Sequence, residues 1–348
     1  MYPRNAWYVA AWAHEIGREP LARKILGEDV VLFRRLDGAA VALEDQCCHR
    51  QLPLSLGKVE GDCLRCGYHG YRFDASGACV EIPGQDAIPA NAGVRAFMVV
   101  ERWKWVWIWL GDTALADPAE IPDLWWCDHP DWKVTTPDMV PLACDARLIV
   151  DNVLDATHLT YVHASSIGSG GLTEVQPVIE SGPNHVRVSR WVLDRPPPPM
   201  YAKAGNFEAN ADRWAAVEFR APAVAINFAG CVDVGHGGPD GDLAASPRRV
   251  ELVAISLPTP STDTSCYYFF GFSRAFSHDD PQVERMFSEV MVDVFREDFV
   301  ILEAQQRRIN ERPATRKVST INDRASFLAR GMIERMAQAE RPAAPPQA

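Results

Sequence analysis

Two short stretches carry the side chains best suited to hold a metal. In "CCHR" a single residue separates Cys47 from His49, and in "CGYHG" two residues separate Cys66 from His69. Each loop therefore offers one thiolate and one imidazole. Two such loops suit a binuclear iron–sulfur centre in which one iron takes both cysteines and the other both histidines. Imidazoles in place of anionic thiolates make such a centre easier to reduce. Mixed Cys/His sets also suit tetrahedral zinc, and Cys63-x-x-Cys66 offers a competing pair. Zinc ribbons usually pair their ligands as Cys-x-x-Cys at both ends, which Cys47-x-His49 does not. Only one of the adjacent thiols Cys47 and Cys48 fits the one-residue spacing.

A second constellation lies in "DNVLDATHLTYVH", which holds Asp155, His158 and His163. Two histidines and a carboxylate make the facial triad that leaves open positions on a non-haem Fe(II). On a helix Asp155 and His158 share a face. His163 lies five positions after His158, some 140° round at about 100° per residue. Both imidazoles reach one metal only if the helix ends or widens before His163, and the glycine-rich "ASSIGSGGL" that follows suits an ending. The missing carboxylate has candidates in "VDVFREDFVILEAQQ", where spacing does not choose among Asp293, Glu297 and Asp298.

The elements that position these residues fall into two groups. The chain has 348 residues, enough for two domains, and is 47% hydrophobic, which permits a sizeable core. Its formal charge of -11 argues against a nucleic-acid partner, which needs a concentrated basic surface. The N-terminal stretch lacks a secretory pattern, and no apolar run approaches the roughly 18 residues of a membrane span. Nine cysteines without an export signal suit reduced thiols in a cytoplasm.

Residues 1–112 read as a β-rich domain with Asp-Gly turns. "RWKWVWIWLGD" alternates, placing Trp103, Trp105, Trp107 and Trp109 on one side of a strand for core or subunit packing. Prolines without clear periodicity mark 113–141 as a connecting segment. Residues 142–340 read as a second domain: helix to about 165, a long series of strands, then helix over about 280–311. "RPPPPM" reads as a stiff extended loop, and 341–348 as a tail.

The segment "CCHRQLPLSLGKVEGDCLRCGYHGYRFDASGAC" resembles the Rieske segment of the ring-hydroxylating and O-demethylating oxygenases. His49, Arg50, Cys66, Tyr68, His69, Gly70, Tyr71 and Phe73 fall on that pattern, while Cys48 stands where proline is usual. "MYPRNAWYVA", "HLTYVHASSIG" and "SCYYFFGFSRAF" resemble the vanillate O-demethylase oxygenase group, with its dicamba, toluenesulfonate and phenoxybenzoate relatives. The resemblance implies an α+β protein: an N-terminal β-rich Rieske [2Fe–2S] domain, then a catalytic domain with a central antiparallel sheet flanked by helices. It assigns Cys47, His49, Cys66 and His69 to the cluster, and His158, His163 and Asp298 to a mononuclear iron. Asp155 is then a bridge from a cluster histidine, His69, to His158 of a neighbouring subunit in a homotrimer.

The same resemblance implies O2 as co-substrate and NAD(P)H electrons delivered through a flavin/iron–sulfur reductase. It points to a small aromatic acid as substrate, foremost O-demethylation of a methoxybenzoate such as vanillate, which releases a phenol and formaldehyde. Another oxidation of an aromatic acid within the family is one alternative, and a Rieske electron-transfer protein is another of a different class. The latter needs only the first third of this chain. An acid group wants a cation opposite it. Arg187, Arg190, Arg213, Arg220 and Arg274 all lie in the second domain and are not ranked by sequence, and Asn227 in "AVAINFAG" is a candidate pocket residue.

Overall fold

A computed structural model describes residues 1–164, 167, 171–313 and 318–341. The chain divides into two compact units. The first comprises Met1–Asp123 with Thr259–Asp263 and the C-terminal segment from Ala337, and the second comprises Leu124–Pro258 with Thr264–Met336.

The first unit is built from two antiparallel sheets. Six strands run in the order Trp7–Trp12, Trp105–Trp109, Ala96–Arg102, Ala40–Glu44, Glu28–Arg34 and Leu21–Ile25. Four short strands, Lys58–Glu60, Cys63–Arg65, Arg72–Phe73 and Cys79–Glu81, form the second sheet. Phe33, Leu43, Leu54, Leu64 and Phe73 close a core beneath the cysteine loops. Thr259 donates its hydroxyl to the Val9 carbonyl at 2.7 Å, and the Leu26 N–H reaches the Pro260 carbonyl at 2.9 Å. Both bonds lie inside the first unit although some 230 residues or more separate the partners, which is why its boundary is not one cut in the sequence.

The tryptophan strand departs from the one-sided reading. Trp105–Trp109 is buried at every position, with Val106 and Ile108 as inaccessible as the tryptophans. Trp103 is not on the strand at all. It and Lys104 take φ of 58° and 76° between the paired residues Arg102 and Trp105. Two consecutive positive φ values are the signature of a tight hairpin turn that matches the strand twist.

The second unit carries an eight-stranded sheet whose main order is Lys133–Thr135, Ser265–Arg274, Arg249–Thr262, Val224–Asp233, Ala211–Arg220, His185–Arg195 and Val178–Ser181; Val140–Leu142 also pairs with Ser265–Arg274. Five of these strands run for ten residues or more and are rich in β-branched and aromatic residues, and Arg249–Thr262 continues through Pro258 and Pro260. Helices Ala146–Leu154, Met291–Glu311 and Arg324–Ala339 belong mainly to this unit. Phe295 stacks on Phe270 at 4.9 Å between ring centroids and meets Phe272 edge-on at 5.1 Å, gluing the long helix to the sheet. Only part of "RPPPPM" is loop: Pro199 opens a helix, Pro199–Gly205, because its fixed φ and missing N–H cost nothing at a first helical position. The tail over 342–348 lies outside the described residues.

Candidate metal centres and cavity

In the first unit two loops share one backbone frame. The Cys47 N–H donates to the Leu52 carbonyl at 2.9 Å, and the Cys47 carbonyl accepts from Gln51 at 2.9 Å. In the second loop the Cys66 N–H donates to Tyr71 at 2.8 Å, and the Cys66 carbonyl accepts from Gly70 at 3.2 Å. The fourth residue after each cysteine is left-handed, Gln51 at φ 59° and Gly70 at φ 75°. The loops also approach closely, since a Cβ on Gly67 would stand 2.8 Å from the Leu56 carbonyl oxygen. Asp45 braces the first loop by accepting from the Ser55 N–H at 2.6 Å and hydroxyl at 2.7 Å. Arg65 braces the second by donating to the Gly70 carbonyl at 2.7 Å while paired with Glu60 and Glu81.

This frame separates thiols from imidazoles. Cys47 and Cys66 are buried at 2% and 3% exposure, whereas His49, His69 and Cys48 are exposed. The two imidazoles meet edge to face at 4.6 Å between centroids, and Tyr71 stacks on His49 at 4.7 Å. Burial pushes the Cys47 thiol up to about 11, the His49 N–H opposes that shift, and the adjacent Cys66 thiol adds to it. Binding metal there releases protons, as thiolate ligation does generally. A tetrahedral zinc needs three or four ligand atoms gathered round one point. Among the described residues the one such gathering, with all ligand atoms within 4.8 Å, is elsewhere. Paired thiols and paired imidazoles suit a binuclear cluster instead.

That gathering is His158, His163 and Asp298 in the second unit. The helix Ala146–Leu154 stops at Asp155, whose φ/ψ of -108°/87° is not helical. A single 3-10 turn, Ala156–His158, and one α-turn, Leu159–Val162, follow, and His163 leaves the helical region at φ/ψ -110°/30°. This break is the ending that the five-residue spacing requires. The glycine-rich residues after it are only partly among those described.

Asp155 is consequently not on a common helix face with His158. Its carboxylate caps the next turn, accepting from the Thr157 N–H at 3.0 Å and hydroxyl at 2.6 Å. Its backbone carbonyl lies 2.5 Å from His158 Nδ1. A carbonyl only accepts, so Nδ1 carries the proton and Nε2 presents its lone pair. His158 Nε2 is 3.7 Å from Asp298 Oδ1, and His163 Nε2 is 3.1 Å from Asp298 Oδ2.

The structure distinguishes the three acidic candidates. Asp298 faces both imidazoles. Glu297 accepts from His163 Nδ1 at 2.7 Å, on the far side of the ring, and Asp293 is exposed and paired with Arg296. Burial disfavours a charged His163, but Asp298 and Glu297 together outweigh it and raise the pKa. Asn152 was not singled out by sequence, though Asn152-x-x-Asp155-x-x-His158 was a readable spacing; its Nδ2 donates to Asp298 Oδ1 at 3.0 Å. Gln306 and Glu303 accept from the backbone of Asp145 and Ala143 at 2.9 and 3.0 Å, locking together the two segments that carry the candidate ligands.

The trio opens on a cavity walled by the sheet and by the helix that carries Asp298. Arg190, Arg213 and Asn227 line it; Arg187, Arg220 and Arg274 do not. Arg187 and Arg220 pair with Glu218, and Arg274 with Glu284. The Asn227 Oδ1 is buried and has no hydrogen-bond partner among the described residues.

One β-rich unit carries paired Cys/His loops and the second unit a His/His/Asp cavity, a combination that suits a two-centre oxygenase. The chain belongs to the Rieske oxygenases of the vanillate O-demethylase type: residues 6–97 match the Rieske [2Fe-2S] domain and residues 142–339 the vanillate O-demethylase oxygenase C-terminal domain. It is 38% identical over 98% of both chains to the iron-sulfur subunit TsaM1 of the toluene-4-sulfonate monooxygenase system of Comamonas testosteroni. It is 36% identical to the vanillate O-demethylase oxygenase subunit of Pseudomonas sp. strain HR199, over 99% of this chain and 97% of that one. Crystal structures of dicamba monooxygenase share the fold at 97% and 98% coverage: the complex with 3,6-dichlorosalicylic acid at TM-score 0.90 and 33% identity, and that with non-heme iron and dicamba at 0.83 and 32%. The protein is thus an oxidoreductase, a Rieske-type oxygenase. Among the described residues no helix is long and apolar enough to cross a membrane.

Proposed function

We propose that this chain is the terminal oxygenase of a system that oxidises a small aromatic acid, with electrons drawn from NAD(P)H by a flavin/iron–sulfur reductase. Cys47 and Cys66 hold one iron of the [2Fe–2S] cluster and His49 and His69 the other. His158, His163 and Asp298 hold the mononuclear iron, and the observation that carries this reading is their convergence on a largely apolar cavity. When bound, that iron supplies reductive activation of O2, fed one electron at a time by the cluster.

The chain's own groups then have defined tasks. The Asp155 carbonyl fixes the His158 tautomer, and Glu297 does the same for His163 from behind the ring. Asn152 orients Asp298. The apolar wall excludes water, and Asn227 offers a hydrogen-bonding group to the ring substituents. In a head-to-tail homotrimer, Asp155 bridges His69 of one subunit to His158 of its neighbour, with its carboxylate toward His69 and its backbone carbonyl on His158 Nδ1. The compartment is the cytoplasm.

The substrate reading is O-demethylation of a methoxybenzoate such as vanillate: hydroxylation of the methoxy carbon gives a hemiacetal that collapses to a phenol and formaldehyde. A second reading, hydroxylation of an aryl methyl group as on toluene-4-sulfonate, is favoured by the 38% identity to TsaM1. A panel of aromatic acids with the purified chain, a surrogate reductase and NADH tests both. Formaldehyde release with methoxybenzoates supports the first, and benzylic alcohol from toluene-4-sulfonate supports the second. A cluster that is reduced without any substrate-dependent O2 uptake leaves only an electron carrier.

A further inference from the structure

The cavity contains a cation with an unusual environment. Arg190 is 3% exposed, yet among the described residues it forms no ion pair. Its Nη2 donates to Asn322 Oδ1 at 3.1 Å, and its Nε has no partner. The Asp155 carboxylate supports the charge from a distance, but its Oδ1 already accepts twice from Thr157. A buried guanidinium without a contacting anion is costly, because desolvation is not repaid by a partner.

Strand register places the rest of the subsite. Arg190 pairs with Ala215 across one strand boundary and Val192 pairs with Arg213, so the two arginines are diagonal neighbours on one face. Ala215 pairs with Ala229 on the next strand, and Asn227 with Ala254 on the one beyond. Ala215 and Ala229 therefore make a floor of small side chains between the arginine corner and Asn227, and Ala254 continues it on the far side of Asn227. Arg213 is 4% exposed, donates to the Ile167 carbonyl at 3.2 Å and lies over Tyr201 at 5.5 Å, which holds its guanidinium in place.

We propose that Arg190, with Arg213 as its electrostatic support, is the subsite for the acid group of the substrate, a carboxylate or sulfonate on an aromatic ring. This rests on the aromatic-acid reading above and names the residues that enforce it. The planar guanidinium fork suits two oxygens of either anion. The anion completes the hydrogen bonding of Arg190 and orients the far end of the ring for oxidation. A neutral ring of the same shape leaves the buried charge unpaired and is selected against.

The test compares wild type, Arg190→Gln and Arg190→Lys as metal-loaded full-length chains. Calorimetry gives the Kd of 4-methoxybenzoate, toluene-4-sulfonate and neutral 4-methoxybenzamide, and O2 uptake gives kcat and KM. The cluster spectrum and iron content confirm that each variant is folded and loaded. Arg190→Gln should weaken both anions about 30-fold or more, as expected for losing a buried charged partner, and shift the benzamide less than about threefold. Arg190→Lys should recover part of the anion binding. Equal weakening of acids and amide assigns Arg190 a structural role and overturns the proposal. So does a fall in kcat for every substrate at unchanged Kd, which would place Arg190 behind Asp155 instead. If wild type oxidises the acids but Arg190→Gln binds them normally, this inference alone fails. If wild type neither binds nor oxidises any aromatic acid, the substrate reading fails and takes the inference with it. The ratio of the carboxylate and sulfonate shifts tells which anion the subsite was built for.

Discussion

The two candidate metal centres solve opposite problems with overlapping ligand types. In the Cys/His centre the thiols are buried and the imidazoles face outward, with Tyr68 63% exposed beside His69. In the His/His/Asp centre His163 is 1% exposed and Asp298 is held among three partners, His158, His163 and Asn152. A centre that exchanges electrons gains from an exposed edge of ligand imidazole, since that edge is where a partner group can approach. A centre that works on a substrate gains from burial, which excludes water and strengthens each polar contact. The first is built on paired loops with a rigid backbone frame, and the second on side chains from two helical segments some 135 residues apart. The first therefore depends on backbone hydrogen bonds, and the second on tertiary packing.

The sharpest way to break this contrast is to empty one centre and look at the other. His163→Ala should abolish turnover and lower iron from roughly three to roughly two per chain, with two acid-labile sulfides retained. Iron and sulfide analysis with the cluster's visible spectrum checks it. Retention of all three irons would show that His163 is not a ligand. Asp155→Asn comes next. Asparagine keeps the backbone carbonyl on His158 and can still cap Thr157, so both metals should stay bound while turnover drops about 10–100-fold, the usual cost of losing an outer partner of a metal ligand. If the mononuclear iron is lost instead, Asp155 is a ligand and the bridging role is wrong. Glu297→Gln keeps the shape behind His163 and removes the charge. Iron affinity of the mononuclear site should fall about 10-fold, read by competition with a chelator, while the cluster is untouched.

Which parts of this were readable in advance follows the same contrast. The candidate cluster ligands are legible because all four lie in two short loops whose spacing is fixed by local backbone geometry. His158 and His163 are legible for the same reason, and the helix ending at His163 follows from the angle that five residues subtend, whereas the earlier break at Asp155 does not. Asp298 is different. Asp293, Glu297 and Asp298 cannot be told apart until the long helix is docked, because only its rotation against the sheet decides which carboxylate faces the imidazoles. The arginines are similar: all five sit in strand-like segments or at their ends, and only pairing with Glu218 or Glu284 removes three of them from the cavity. The tryptophan strand misled for a physical reason. Period-two alternation signals one buried face, but Val106 and Ile108 are apolar too, and a strand buried on both faces carries no alternation to read.

The smallest expected effect sharpens the loop side of the comparison. Cys48 stands where proline is usual in the resembling family, and a proline there would fix φ next to a ligand. Here the loop is already held without it: Cys47 is bonded through both its N–H and its carbonyl, and Asp45 ties the loop to Ser55 twice. The Cys48 side chain is exposed, so replacing it removes no buried contact. Cys48→Pro should therefore leave the cluster spectrum and its lifetime in air unchanged within about twofold, because a backbone frame that already fixes the loop gains little from one more restraint. A clearly longer lifetime would mean that the thiol exposes the cluster to oxidation or that the loop flexes despite its hydrogen bonds. Cys48→Ser separates these two, since it removes the thiol without adding a restraint on φ.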